Sequence, residues 1–337
     1  MEETKVTKEN IGLFCIRTAN DLMKEAALLK PHKQLFGPLS YDEEITLIMA
    51  DTNVGKSIFA LQMANEIAAK QSVLYLDLEQ SVKQFEKRYS DNFENHFIFN
   101  DGLYWVDFAQ GYTCPEGEQY EDFFMRSLKT LIKKYKCSVV VIDNMTKLLH
   151  TDTDSAKNAI PLMDKLSKLK KEHNLALILI EHTRKMNSVR PISLDDLQGS
   201  KMKVNFADSV IAIGRSNLDL NLRYVKQLKC RSSEIEYDAD NVMIYEVEKE
   251  SNFLGFKFIG TDTEYNHVKG DGDKVREKKK ARIIELREQG MSKRAIAKEL
   301  GVSEGSVRKT LKALKAEQDE QTEQSEQPIE GDQPTQP

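Results

Sequence analysis

Glu44-Ile45-Thr46-Leu47-Ile48-Met49-Ala50-Asp51-Thr52-Asn53-Val54-Gly55-Lys56-Ser57 is the stretch that decides the fold. Its first half predicts a strand, and the residues from Ser57 to Ala69 predict a helix. Between them, Ala50 to Ser57 fit the phosphate loop G-x-x-x-x-G-K-[ST], with Ala at the first position. In such a strand–loop–helix, successive backbone N–H groups and the positive helix end converge on phosphate oxygens. Gly55 lets the backbone approach the anion, Lys56 suits the β- and γ-phosphates, and Ser57 offers a hydroxyl to Mg2+. Ala50, Asp51, Thr52, Asn53, Val54, Gly55, Lys56 and Ser57 are therefore the expected nucleotide-binding residues, with ATP and Mg2+ as the ligands. Ala50 fits provided its φ stays negative.

Working outward, Ser72 to Asp77, Ser138 to Ile142 and Leu175 to Ile180 predict further strands, alternating with helices over Glu121 to Tyr135 and Ala159 to His173. Apolar strands separated by helices predict an α/β fold with a mostly parallel sheet flanked by helices. After Ser209 the pattern changes. Ser209 to Ile213, Arg223 to Lys229, Val242 to Glu248 and Phe253 to Ile259 predict mostly antiparallel strands at the edge of that sheet. Two acids complete a hydrolytic set. Asp143 ends an apolar strand, where a carboxylate meets Mg2+ or serves as a turn former or helix cap. Glu79 follows the next strand after the loop helix and is placed to orient an attacking water, with Asp77 as its competitor.

The loop at Ala50–Ser57, the strand Leu74-Tyr75-Leu76-Asp77-Leu78-Glu79 and the strand Val140-Val141-Ile142-Asp143 resemble, in that order, the RecA-like ATPases. Within them the similarity is closest to hexameric helicase-type ATPases of plasmids and mobile elements, and to the ATPase domain of replicative helicases. It covers roughly residues 36–260. The resemblance implies a RecA-like P-loop NTPase core that hydrolyses ATP, with Lys56 on the phosphates, Glu79 as catalytic base, and Ser57 and Asp143 on the metal side. It also implies that His182, in Ile180-Glu181-His182-Thr183-Arg184, senses the γ-phosphate; a structural hydrogen-bonding histidine is the alternative. The segment that follows would face single-stranded DNA in a ring's channel, with Arg184, Lys185, Arg190, Lys201 and Lys203 as its cations. A solvated surface loop is the other reading. Lys229 and Arg231, two apart on a strand, share a face. In relatives a Lys-x-Arg pair there reaches the neighbouring subunit's γ-phosphate, which implies a homo-oligomer, a hexamer. Otherwise the pair is an edge-strand guard against aggregation. Replicative helicases carry a primase-docking domain before this core; here residues 1–35, one helix and a connector, stand in its place, which makes a stand-alone replicative helicase less expected.

Charge divides the chain. Residues 269–315 hold 15 Lys+Arg and 7 Asp+Glu, whereas residues 316–337 hold 7 acids and no base. The remainder has 34 bases and 40 acids. A basic block on an acidic body points to polyanion binding. Residues 269–277, with Gly270-Asp271-Gly272-Asp273, predict a linker, and residues 278–315 a small all-α helix-turn-helix domain. Ser292 and Ser303 can cap its second and third helices. Ala297, Gly301 and Val307 carry the spacing that packs two such helices, resembling the helix-turn-helix of resolvases and bacterial regulators. Ser303, Glu304, Ser306, Arg308 and Lys309 would then face a duplex groove, with Lys312 and Lys315 near phosphates; a protein-interaction module is the alternative. Residues 316–337 are too polar to bury a core and predict a disordered acidic tail. This divides the chain into residues 1–35, an ATPase domain over 36–268, the linker, the DNA module and the tail.

The composition, 40% apolar and 31% charged, excludes collagen-like and disulfide-scaffold classes. Apolar runs fall far short of the roughly 20 residues a bilayer demands, and the four cysteines lack C-x-x-C spacing. A cytoplasmic protein without a membrane partner is expected. Two functions remain open: a DNA-translocating ring motor serving replication or mobilisation of plasmid or mobile-element DNA, and a DNA-binding adaptor for transposition or plasmid maintenance whose ATP state acts as a timer. Replication or transposition proteins would be partners. A metabolic kinase lacks an evident acceptor site.

Overall fold

A computed structural model describes residues 8–145, 148, 156–183, 190–197, 202–268, 271–300, 307–308 and 310–311. In chain order its elements are β1 (Glu9–Ile11), β2 (Phe14–Ile16), α1 (Ala19–Ala26), β3 (Ile45–Ala50), α2 (Lys56–Ala68), β4 (Val73–Asp77), α3 (Val82–Arg88), β5 (Ser90–Asp91), β6 (Asn95–His96), β7 (Leu103–Val106), α4 (Tyr120–Tyr135), β8 (Val139–Asp143), α5 (Ala156–His173), β9 (Ala176–His182), α6 (Met202–Phe206), β10 (Ser209–Arg215), β11 (Leu222–Lys229), β12 (Val242–Glu250), β13 (Phe253–Asp262), α7 (Asp271–Glu288) and α8 (Lys293–Glu299).

Nine strands form one sheet in the order β13-β12-β11-β10-β3-β9-β8-β4-β7. Strands β10 to β7 of that order run parallel, and β11, β12 and β13 form an antiparallel wing. Period-two alternation fills both faces. Ile45, Leu47 and Met49 of β3 and Leu177 and Leu179 of β9 pack with α4 and α5 through Leu128, Ile132, Leu162 and Leu166. Ile48, Ile178 and Ile180 point the other way, onto Phe59, Met63 and Ile67 of α2. Each such side chain contributes about 1.5–3 kcal/mol by leaving water. The parallel arrangement brings the C-terminal ends of β3, β9, β8 and β4 to one edge, where the phosphate loop lies.

The structure departs from the sequence expectations at several places: residues 1–35 hold the antiparallel pair β1–β2 as well as a helix, and α3 and the pair β5–β6 follow β4. β10 is an interior strand parallel to β3 rather than part of an antiparallel edge, because α6 and the bond from Asp208 N to Ile45 O return the chain to the start of β3. β7 adds a parallel strand beyond β4 that the sequence reading omitted. The segment read as a linker over 269–277 is helical from Asp271, since α7 begins there. Among the described residues no helix is long and apolar enough to cross a membrane.

Candidate nucleotide site and nucleic-acid interface

At the end of β3 the chain turns through Asn53 and Gly55, whose φ values are +59° and +109°. The positive φ favours glycine at position 55, and a Cβ on Gly55 would also lie a tight 3.0 Å from the Phe256 ring. Ala50 stays in strand conformation, which accommodates its methyl in place of the usual glycine. Lys56 opens α2 and is 7% exposed. Its Nζ donates to the carbonyls of Ala50 at 3.1 Å and Asp51 at 3.0 Å, and lies 3.1 Å from His182 Nδ1. Burial lowers the lysine's pKa, opposed by the charges of Asp143, Asp51, Glu79 and Glu181. The ammonium is thus parked on neutral acceptors that a phosphate oxygen can replace.

Asp143 ends β8, buried, and accepts from the Tyr75 hydroxyl at 2.9 Å. Burial pushes its carboxyl up to about 6; the Ser57 and Tyr75 hydroxyls oppose that rise, and the charges of Asp77 and Glu79 add to it. Asp77 Oδ1 accepts from the backbone N–H groups of Glu79 (3.0 Å) and Gln80 (2.8 Å), so this carboxylate is spent on the turn. Glu79 is exposed and lines, with Ser57, Asp77, Asp143 and Arg88, a cavity of about 710 Å³. Three acids against one hydroxyl suit a divalent cation. No set of three acids or imidazoles among the described residues forms a metal cage. The Ser57 hydroxyl and the Asp143 carboxylate on one cavity fit Mg2+, which keeps several waters and shares phosphate oxygens with one or two carboxylates.

His182, at the end of β9, sits between Lys56 and Asn144, with Nδ1 3.1 Å from the ammonium and Nε2 3.3 Å from the Asn144 amide. Burial and then the Lys56 charge lower its pKa, which keeps the ring neutral and Nδ1 an acceptor for the ammonium. Of the expected channel cations, Arg184, Lys185 and Lys201 lie outside the described residues. Arg190 forms a bidentate pair with Asp196 at 2.9 and 2.6 Å. Lys203 requires a correction: it is 1% exposed and donates to Glu181 Oε1 at 2.7 Å, because α6 lies against the sheet and turns this side chain inward. It does not face nucleic acid in this arrangement.

Lys229 and Arg231 stand at the opposite end of the sheet from their own phosphate loop, since β11 runs antiparallel to β10. Lys229 Nζ donates to the carbonyls of Val204 (2.8 Å) and Ala207 (2.6 Å), and Arg231 pairs with Asp208 at 3.1 Å. Together they hold the C-terminal end of α6. Tyr75, Asn144, Arg215 and Arg223 were not among the expected site residues; Arg215, a cation closing the apolar strand β10, carried a visible signal.

In the basic block, Ile283, Leu286, Ile296, Ala297 and Val307 form a separate small core. Ser292 caps α8 by accepting from Ala295 N at 3.2 Å. Arg308 is exposed next to buried Val307. Ser303, Glu304, Ser306, Lys309, Lys312 and Lys315 lie outside the described residues.

A parallel sheet with a phosphate loop at its carboxyl edge and a strand-terminal Asp opposite defines a RecA-like P-loop ATPase, here with a C-terminal helix-turn-helix. Residues 17–188, just over half of the chain, match the AAA domain model, and the chain belongs to that family. Residues 274–322 match a homeodomain-like domain. The DNA repair protein RadA of Streptococcus pyogenes serotypes M6 and M1 is 22% identical over 173 residues, 50% of this chain and 32% of each relative. The chain thus matches about a third of the length of these curated relatives. A KaiC-like protein from the hyperthermophilic archaeon Pyrococcus horikoshii OT3 superposes with a TM-score of 0.49 at 16% identity, covering 68% of this chain and all of that one.

Proposed function

We propose that this chain hydrolyses ATP with Mg2+ and couples the cycle to DNA as one subunit of a RecA-like ring, a hexamer, serving replication or mobilisation of plasmid or mobile-element DNA. The observation that carries the reading is the convergence of Lys56, Ser57, Asp143 and His182 at one sheet edge, with Glu79 on the same cavity, in a chain that also bears a helix-turn-helix. Lys56 exchanges the Ala50 and Asp51 carbonyls for phosphate oxygens. Ser57 and Asp143 would hold Mg2+, which supplies charge neutralisation on the phosphates. Glu79 accepts the proton of the attacking water, and His182, bonded to Lys56, carries the state of the site to the segment after β9. Lys229 and Arg231 would complete a neighbour's site. The relatives named as DNA repair proteins support a DNA substrate.

A second reading has one observation in its favour. Both described cations of the channel segment, Arg190 and Lys203, are already paired. That favours a regulator that binds duplex DNA through the helix-turn-helix and uses ATP as a timer. An ATPase assay with single-stranded, duplex and no DNA, with Lys56→Ala as control, separates the two. The motor predicts strong stimulation by single strands together with strand separation. Stimulation by duplex alone, without unwinding, would establish the regulator, and ATP-independent behaviour of the wild type would sink both.

A further inference from the structure

The corner between β10 and β11 carries two arginines that the proposed cycle does not use. Arg215 and Arg223 are direct cross-strand partners, so their side chains leave the sheet on one face. Both end on the phosphate loop. Arg215 Nη2 donates to the Asn53 carbonyl at 2.8 Å, and Arg223 Nε donates to the Val54 carbonyl at 2.7 Å. Arg223 is 8% exposed, and its Nη1 donates to the carbonyls of Leu220 and Leu222. Among the described residues neither guanidinium is paired with a carboxylate.

Such a placement is costly. Like charges at directly opposed strand positions repel, and a buried cation facing only neutral acceptors keeps its charge uncompensated. Arginine does not escape by losing its proton. The corner is therefore a standing positive charge against the loop, and departures from ordinary sheet chemistry concentrate where function retains them.

We propose that Arg223, with Arg215 beside it, is a positioning residue for the phosphate loop, holding the Asn53 and Val54 carbonyls outward so that the loop's N–H groups stay converged on nucleotide phosphates. The peptide plane makes this mechanical. A carbonyl and the following N–H point in opposite directions, so fixing the Asn53 carbonyl orients the N–H of Val54, and fixing the Val54 carbonyl orients that of Gly55. The Phe256 ring of β13 lies where it would meet a Cβ on Gly55 at 3.0 Å, so the wing borders the same turn. The antiparallel wing thereby becomes part of the nucleotide site, and its cations raise the local potential for a di- or triphosphate. The inference rests on the nucleotide-binding reading of the loop and deepens it.

The test compares wild type, Arg223→Met and Arg223→Lys for ATP and ADP affinity with a fluorescent ATP analogue, for ATPase KM and kcat, and for thermal melting without nucleotide. Arg223→Met should raise Kd and KM for ATP about tenfold to a hundredfold while kcat at saturation stays within about threefold. Arg223→Lys, which keeps the charge and reaches one carbonyl, should recover part of the affinity, and it serves alone if the methionine variant fails to fold. A folded variant with unchanged KM overturns the positioning role, even if its melting temperature drops. Lack of ATP binding by wild type overturns the nucleotide reading itself and this inference with it.

Discussion

Asp143 sits where two demands oppose each other, since the carboxylate that should meet a cation is buried beside other acids. Its pKa is 3.8 in an unperturbed chain and about 6 in the fold. The folded state therefore binds more protons between those values. Stability from this group is complete below about pH 4, declines as pH rises, and is lost above about pH 6, a span of roughly 3 kcal/mol at most. Asp143→Asn should raise the melting temperature of the nucleotide-free protein at pH 8, with the gain shrinking toward pH 4.5. Thermal melts at the two pH values check this. The same variant should lose ATP turnover by at least about a hundredfold, because the neutral amide no longer attracts a cation. Glu79 predicts a different signature. It is exposed on the cavity, and only its backbone N–H, not its carboxylate, serves the turn that Asp77 builds. Glu79→Gln should keep ATP affinity near wild type and lose hydrolysis by about 10²–10⁴, so that purified protein retains unhydrolysed ATP. Equal loss of binding and turnover would remove Glu79 from the role of base.

Two structural accounts of the β11 end make different predictions. Within one chain, Lys229 and Arg231 tie down α6, and Arg231 is more than half exposed in a surface pair worth about 1 kcal/mol at most. Arg231→Ala should thus leave the melting temperature nearly unchanged. On the proposed assembly, where Arg231 would reach a neighbour's phosphates, the variant should also lower ATPase about tenfold or more, and mixing it with Glu79→Gln subunits should restore activity at junctions where an intact site meets an intact finger. No gain on mixing returns the pair to a purely structural role. How much of this was legible follows from where the information lies. The strand–loop–helix around Lys56 was readable because its chemistry is local, and β8 and β9 were readable because buried parallel strands are continuously apolar. β10's direction was not, since the preceding crossover sets it rather than the strand's own residues. β7 is four residues long, yet Gly102 before it held a clue: a Cβ there would meet the Ala68 carbonyl at 2.4 Å. Lys203 looked solvent-facing in a polar segment; its burial depends on Glu181, a charge in an otherwise apolar strand that could have signalled a buried partner.

At the scale of the whole molecule, the ATPase body and the basic block keep separate cores. The two clusters on either side of the sheet contain nothing beyond β13, and Ile283, Leu286, Ile296, Ala297 and Val307 pack among themselves. The charge follows the same division: 34 bases against 40 acids before residue 269, 15 against 7 in residues 269–315. Separate cores with opposite charge predict that the two proposed activities can be removed one at a time. Ala297 is 7% exposed inside the small core, so Ala297→Asp places a carboxylate among apolar side chains, a change that costs several kcal/mol and exceeds what so small a core can bear. The variant should lose duplex binding and its dependence on salt, while ATPase measured without DNA stays within about twofold of wild type. Lys56→Ala should do the reverse, keeping duplex affinity and its salt slope while abolishing hydrolysis. Fluorescence anisotropy with a labelled duplex at several salt concentrations, run beside the ATPase assay, reads both halves. If Ala297→Asp binds duplex as well as wild type, the DNA contacts belong to the ATPase body. If it also silences the DNA-free ATPase, the small domain is part of the engine rather than its anchor.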